Sequence, residues 1–105
     1  MNLVEFIFYL KNPSKIEEFV TNENQEIDID YADIYLENEL SIYSKLFFFD
    51  AEQIDGKLEI EFNGKKYVNL FPLDYLLDIF TEFNVSGDSD LEIANKILNY
   101  RINDA

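Results

Sequence analysis

Residues 57–71, KLEIEFNGKKYVNLF, place Asn63-Gly64 between two runs of alternating apolar and polar residues. Asn-Gly offers two adjacent positions that tolerate positive φ, as a tight turn between antiparallel strands requires, so the stretch predicts a β-hairpin. Two registers compete. A two-residue loop sets Ile60 against Tyr67 and leaves Leu58 facing Asn69. A three-residue loop with Gly64 left-handed pairs Leu58 with Val68 and Glu61 with Lys65, and this bulged version is preferred. A hairpin must bury one face, and helices on either side of it in the sequence can provide the cover.

Leu3, Phe6, Ile7 and Leu10 recur at helical spacing. Asn12-Pro13 ends that helix and starts another bearing Ile16, Phe19 and Val20, which makes a broken N-terminal helical arm. Beyond Asn24 the period changes. Ile27, Ile29 and Tyr31 alternate with Asp28 and Asp30 as a half-exposed strand does, and the alternation slips near Ala32, where a bulge or loop is expected. Leu46–Phe49 is an apolar run suited to a strand covered on both faces, although a short helix from Glu39 onward also fits, so residues 31–44 are left open between strand and helix.

Pro72 opens a helix with Leu73, Leu76, Leu77, Phe80 and Phe83 on one side and Asp74, Asp78 and Glu82 on the other. Ser89 and Glu92 form a capping box for a last helix, with Leu91, Ala94, Ile97, Leu98 and Ile102 inward. Arg101, the sole arginine, stands near the end of that helix and is expected to cap it or form an ion pair. The fold class is therefore α+β in a single domain, 1–105: an N-terminal helical arm, a small antiparallel sheet with a hairpin, and two C-terminal amphipathic helices. At 105 residues, folding can bury about 60–70% of the unfolded chain's surface. Ten Phe and seven Tyr argue against disorder.

The chain has no cysteine and no histidine. That excludes disulfides, thiolate nucleophiles and the usual zinc ligands, and suits a reducing cytoplasm. No basic segment follows Met1 and no apolar run is long enough for a membrane span, so neither export nor membrane insertion is expected. No serine lies in a G-x-S-x-G or S-x-x-K pattern, and the three glycines are not grouped as a phosphate loop. Asp28, Asp30 and Asp33 resemble a calcium-ligand run, but counting from Asp28 the sixth position holds Asp33 where an EF-hand needs glycine. The expectation is a non-enzyme with no cofactor and no metal.

Twenty-two acidic against eight basic residues leave a net charge of −14. Such a chain repels phosphate backbones and anionic lipids, so direct nucleic-acid or membrane binding is not expected, and its natural partner is basic. Charge is concentrated between Ile16 and Ser44, where Glu17, Glu18, Glu23, Glu26, Asp28, Asp30, Asp33, Glu37 and Glu39 stand without a lysine or arginine. A charge block is commonly a solvated face. Here isoleucines and tyrosines are threaded through it, so the segment reads as half core and half binding surface. Glu26, Asp28, Asp30, Tyr31, Asp33, Tyr35, Glu37 and Glu39 are the candidate contact residues. Tyr31 and Tyr35 also suit a core role, with the hydroxyl satisfied.

An acidic, cysteine-free chain with this aromatic-acidic stretch, followed by GKKYVNLFPLDYLLDIF (64–80) and DLEIANKILNYRINDA (90–105), resembles the small immunity proteins of bacterial polymorphic toxin systems, including contact-dependent growth inhibition. The resemblance covers the C-terminal half and assigns no residue roles. It implies a cytoplasmic protein that binds one cognate toxin domain, often a nuclease, whose cleft must be basic to hold its own substrate. A phage-encoded acidic inhibitor that imitates nucleic acid, of anti-restriction or anti-CRISPR type, fits the same composition. So does a non-inhibitory acidic adaptor. Gene neighbourhood separates the first two.

Overall fold

The computed structural model describes residues 1–23, 28–54, 57–84 and 87–103. Two helices open the chain, α1 (Leu3–Lys11) and α2 (Ile16–Glu23), separated by a 3-10 turn at Pro13–Lys15. The Asn2 side chain accepts from the Glu5 N–H and the Glu5 carboxylate accepts from the Asn2 N–H, each at 3.0 Å, so α1 starts on a capping box. Leu3, Phe6, Ile7, Leu10, Ile16 and Val20 are buried, as their spacing predicts.

The strands are β1 (Ala32–Glu37), β2 (Leu46–Asp50), β3 (Glu59–Phe62) and β4 (Lys65–Pro72), with a single-turn helix α3 (Ala51–Ile54) after β2. They form one antiparallel sheet in the order β2-β1-β4-β3. The C-terminal helices are α4 (Leu73–Phe83) and α5 (Asp90–Asn103). The fold is mixed helix and strand, with the N-terminal arm, the hairpin and two closing helices all present. Residues 31–44 resolve into a 3-10 end, a strand and a loop.

β1 is central, and Ala32 to Leu36 are all buried. Ile34 and Leu36 join Phe48, Leu70 and the apolar faces of α1, α2, α4 and α5 in the main core. Tyr35 points to the opposite face, where it meets Tyr67 and Ile54, flanked by Phe47, Phe49 and Ile60. The register shifts between Ile34 and Tyr35, which pair with Phe71 and Asn69, so Leu70 is the extra residue of a β-bulge. The bulge lets the consecutive Leu70 and Phe71 both enter the main core. Arg101 Nε donates to the Leu70 carbonyl at 2.9 Å. The arginine therefore serves the irregular point of the sheet, not the end of its own helix.

Several sequence expectations need correction. Ile29–Tyr31 is a 3-10 turn, not strand: the Asp28 carboxylate accepts from the Asp30 N–H at 2.9 Å, an alternative to ladder bonding that a short acidic side chain offers. Ile27, on which part of the alternation rested, lies outside the described residues. The irregularity expected near Ala32 falls at Leu70 on the neighbouring strand. The hairpin takes the two-residue loop, with Ile60 opposite Tyr67, Phe62 opposite Lys65, and the Asn69 N–H donating to the Leu58 carbonyl at 2.8 Å. Asn63 and Gly64 both have positive φ, at 53° and 78°, and two such residues make the tightest turn without a bulge.

β2 is an edge strand. Phe48 enters the main core edge-on to Phe6 and Phe19, at ring separations of 5.6 and 5.7 Å. Phe47 and Phe49 are half-buried on the other face against Tyr67 and Tyr35, so cover on that side is partial. In α4, Ile79 is buried and Leu77 and Phe83 are half-buried. In α5 the Ser89–Glu92 capping box forms, with both bonds at 3.2 Å. Leu91 and Ile102, expected inward, are 48% and 57% exposed, and Ile93 takes the buried position. The buried set Ile93, Ala94, Ile97, Leu98 is the tighter helical stripe, and it packs chiefly against α1 and α4.

Gly64 tests the turn. A Cβ there meets nothing within 4 Å, so any penalty comes from the backbone at φ +78° alone. Gly64→Val is expected to destabilise the fold by about 1 kcal/mol or more, which lowers the thermal midpoint by about 4–8 °C per kcal/mol for a domain near this size. Calorimetry reads this directly, and an unchanged midpoint would place the turn elsewhere.

Candidate acidic binding site

The acidic segment does not form one face. The six residues of β1 span about 20 Å at about 3.3 Å per residue, and they hold the acidic ends of the segment apart. At the near end, Asp28 and Asp30 are exposed in the 3-10 turn and Tyr31 is 50% exposed. At the far end, Glu37 pairs with Lys65 at 3.2 Å, and Glu39 is exposed in the loop to β2, its carbonyl accepting from Ser44 Oγ. Glu26 lies outside the described residues. Tyr35 has no exposed surface and presents nothing to a partner. Its hydroxyl donates to the Lys57 carbonyl, so it is a core aromatic with its polar tip satisfied.

Asp33 is 5% exposed, the one buried charged residue among those described. It sits on the Tyr35 face of β1, between Phe49 on one neighbour and Pro72 on the other. Pro72 leads straight into α4, so the Asp33–Pro72 pairing sets the first turn of that helix, with Asp74, beside the buried carboxylate. α4 also rests against the 3-10 turn that holds Asp28 and Asp30. Burial pushes the Asp33 carboxyl above its ordinary pKa, and the nearby Asp74 charge pushes it further in the same direction. Tyr35 is raised by burial first and then by Asp33, with a hydrogen bond to Asn69 opposing. Both groups are thereby biased toward their neutral forms.

The structure thus gathers Asp28, Asp30, Tyr31 and Asp33 at one end of the sheet and separates them from Glu37 and Glu39. It adds Asp74, which sequence reasoning assigned only to the polar side of a helix. The alternation and the Pro72 start were legible, but that β4 pairs with β1 and so delivers α4 to this corner was not. Among the described residues no group of three or more Asp or Glu side chains is arranged to hold a metal ion. No helix is long and apolar enough to cross a membrane. A separate groove of about 990 Å³ runs over the half-covered face of the sheet, lined by Phe47, Phe49, Ile60 and Tyr67 and by charges of both signs, Lys45 and Lys57 with Asp50, Glu59 and Glu61. It excludes the acidic end, and its aromatics were read from sequence as core. Comparison with protein-family models, curated proteins and solved structures finds no match for this chain.

A buried carboxylate with a raised pKa binds more protons folded than unfolded between its ordinary value of 3.8 and the raised one. Its contribution to stability therefore falls as pH rises through that window and is at its least favourable at neutral pH. Asp33→Asn removes the charge while keeping the shape. It is expected to raise stability at pH 7 by on the order of 1 kcal/mol, with the advantage shrinking as pH falls toward 4. Chemical denaturation at both pH values measures the difference, and an equal or lower midpoint for the variant at pH 7 would contradict the assignment.

Proposed function

We propose that this chain is an immunity-type inhibitor that binds a cognate basic toxin domain, of nuclease type, in the cytoplasm. The observation that supports this most is the acidic end: exposed Asp28 and Asp30 and half-exposed Tyr31 in a turn that α4 rests against, and first-turn Asp74 beside the buried Asp33, on a chain of net charge −14. Acids exposed at one corner steer a basic partner through long-range attraction, and a tyrosine among them offers a flat, low-entropy contact once water is excluded. Inhibition by occupancy needs no turnover. The absence of histidine and cysteine from the sequence suits a protein that acts by covering a surface.

Charge and packing separate kinetically in such an interface. Reversing Asp28, Asp30 and Asp74 to Lys is expected to lower the association rate for the proposed cognate basic toxin domain by about tenfold or more at low salt, and to flatten its salt dependence. Tyr31→Ala is expected to act chiefly on dissociation. Surface plasmon resonance at low and high salt reads both. If the triple reversal stays folded and leaves association, salt dependence and toxin neutralisation unchanged, the acidic end is a solvated face and the proposal fails.

A further inference from the structure

Asp33 has an oxygen, Oδ1, that is fully buried and has no hydrogen-bond partner. No ion pair among the described residues reaches it: four lysines are committed to Asp90, Glu37, Glu59 and Asp88, and Arg101 Nε to the Leu70 carbonyl. A carboxylate without counter-ion or hydrogen bond in a nearly dry place is one of the least favourable groups a fold can hold. A second carboxylate beside it, Asp74, worsens the repulsion. One oxygen of Asp74 already accepts from the Tyr75 N–H at 2.8 Å, and one oxygen of Asp28 from the Asp30 N–H at 2.9 Å. Each surface aspartate is thus fixed in place with a second oxygen uncommitted.

We infer that Asp33 and Asp74 form the seat for one arginine side chain of the partner, the guanidinium bridging the two carboxylates while exposed Asp28 and Asp30, in the turn that α4 rests against, add negative charge at the same end of the sheet. This rests on the acidic end being the binding surface. Arginine fits better than lysine for two physical reasons. Its planar fork presents donors on separate edges, so it can serve two carboxylates at once, and its diffuse charge sheds water more readily than an ammonium when it enters a site 95% closed to solvent. The seat explains why the chain tolerates Asp33: a group that destabilises the free protein becomes a strong, directional contact once its counter-ion arrives.

The test uses the whole chain and a hexa-arginine peptide, with hexalysine as the equal-charge comparison. Titration calorimetry gives affinities, and carbon-13 shifts of the side-chain carboxyls report which acids are engaged at fixed pH. Hexa-arginine is expected to bind at least several-fold more tightly than hexalysine and to move the Asp33 and Asp74 carboxyl resonances more than that of Glu92, which follows the opposite end of α4. Asp33→Asn and Asp74→Asn are each expected to weaken hexa-arginine about tenfold, whereas Glu92→Gln, which removes the same charge and keeps its capping bond, should change it less than twofold. Circular dichroism confirms that the variants are folded. Equal losses in Asp33→Asn and Glu92→Gln, or equal affinity for the two peptides, would overturn the seat. The two proposals fail separately. A chain that binds its toxin unaffected by Asp33→Asn loses the seat alone, and one that seats hexa-arginine but binds no toxin loses the immunity assignment alone.

Discussion

The fold hangs on one strand buried on both faces. β1 alternates Ile34 and Leu36 into the main core with Asp33 and Tyr35 toward the other side, and both of its edges are hydrogen-bonded to neighbours. A strand so placed cannot slip by one residue without exchanging Leu36 for Glu37 in the interior, so its register is strongly held. The bulge at Leu70 follows from the same demand. The sheet needs two large apolar residues in succession beneath α4 and α5, and regular pleating allows only every second one. Arg101 then satisfies the carbonyl left at that irregularity.

The same strand creates the conflict that marks its beginning. Burying Ile34 obliges its neighbour Asp33 to face the opposite side, and there Tyr35, Phe49 and the start of α4 close around it. The chain has bases to spare for Glu37 and Glu59 at the hairpin, yet none is directed to this corner. Native proteins keep such uncompensated groups mainly where function draws on them. In the proposed complex the acidic end is the place where stability and binding pull in opposite directions.

Local signals were legible where they depend on neighbours in sequence. The Asn12-Pro13 break, the Asn63-Gly64 turn, the Ser89–Glu92 box and the 3.6-residue stripe of α4 each involve contacts within a few residues, and each is present. What was not legible depends on pairing at a distance. The alternation at 27–31 looks like a strand until the Asp28 side chain takes the Asp30 N–H. Leu91 and Ile102 look inward until the packing of α5 on α1 and α4 shows which stripe is covered. Tyr35 could be separated from Tyr31, and Asp33 from Asp30, only once the strand was seen to begin at Ala32. The composition pointed to a basic partner, while the acids that share a corner, Asp74 among them, emerge from the β1–β4 pairing.

Hydrogen exchange of the free chain and of the chain mixed with a basic toxin domain of the proposed kind addresses the central claim most directly. Protection gained on binding should concentrate in the backbone amides of residues 28–33 and in the first turn of α4, with the hairpin tip at 62–66 unchanged. Protection confined to β2 and the hairpin, with the acidic end exchanging as in the free protein, would contradict the account and move the interface to the aromatic groove over β2, β3 and β4.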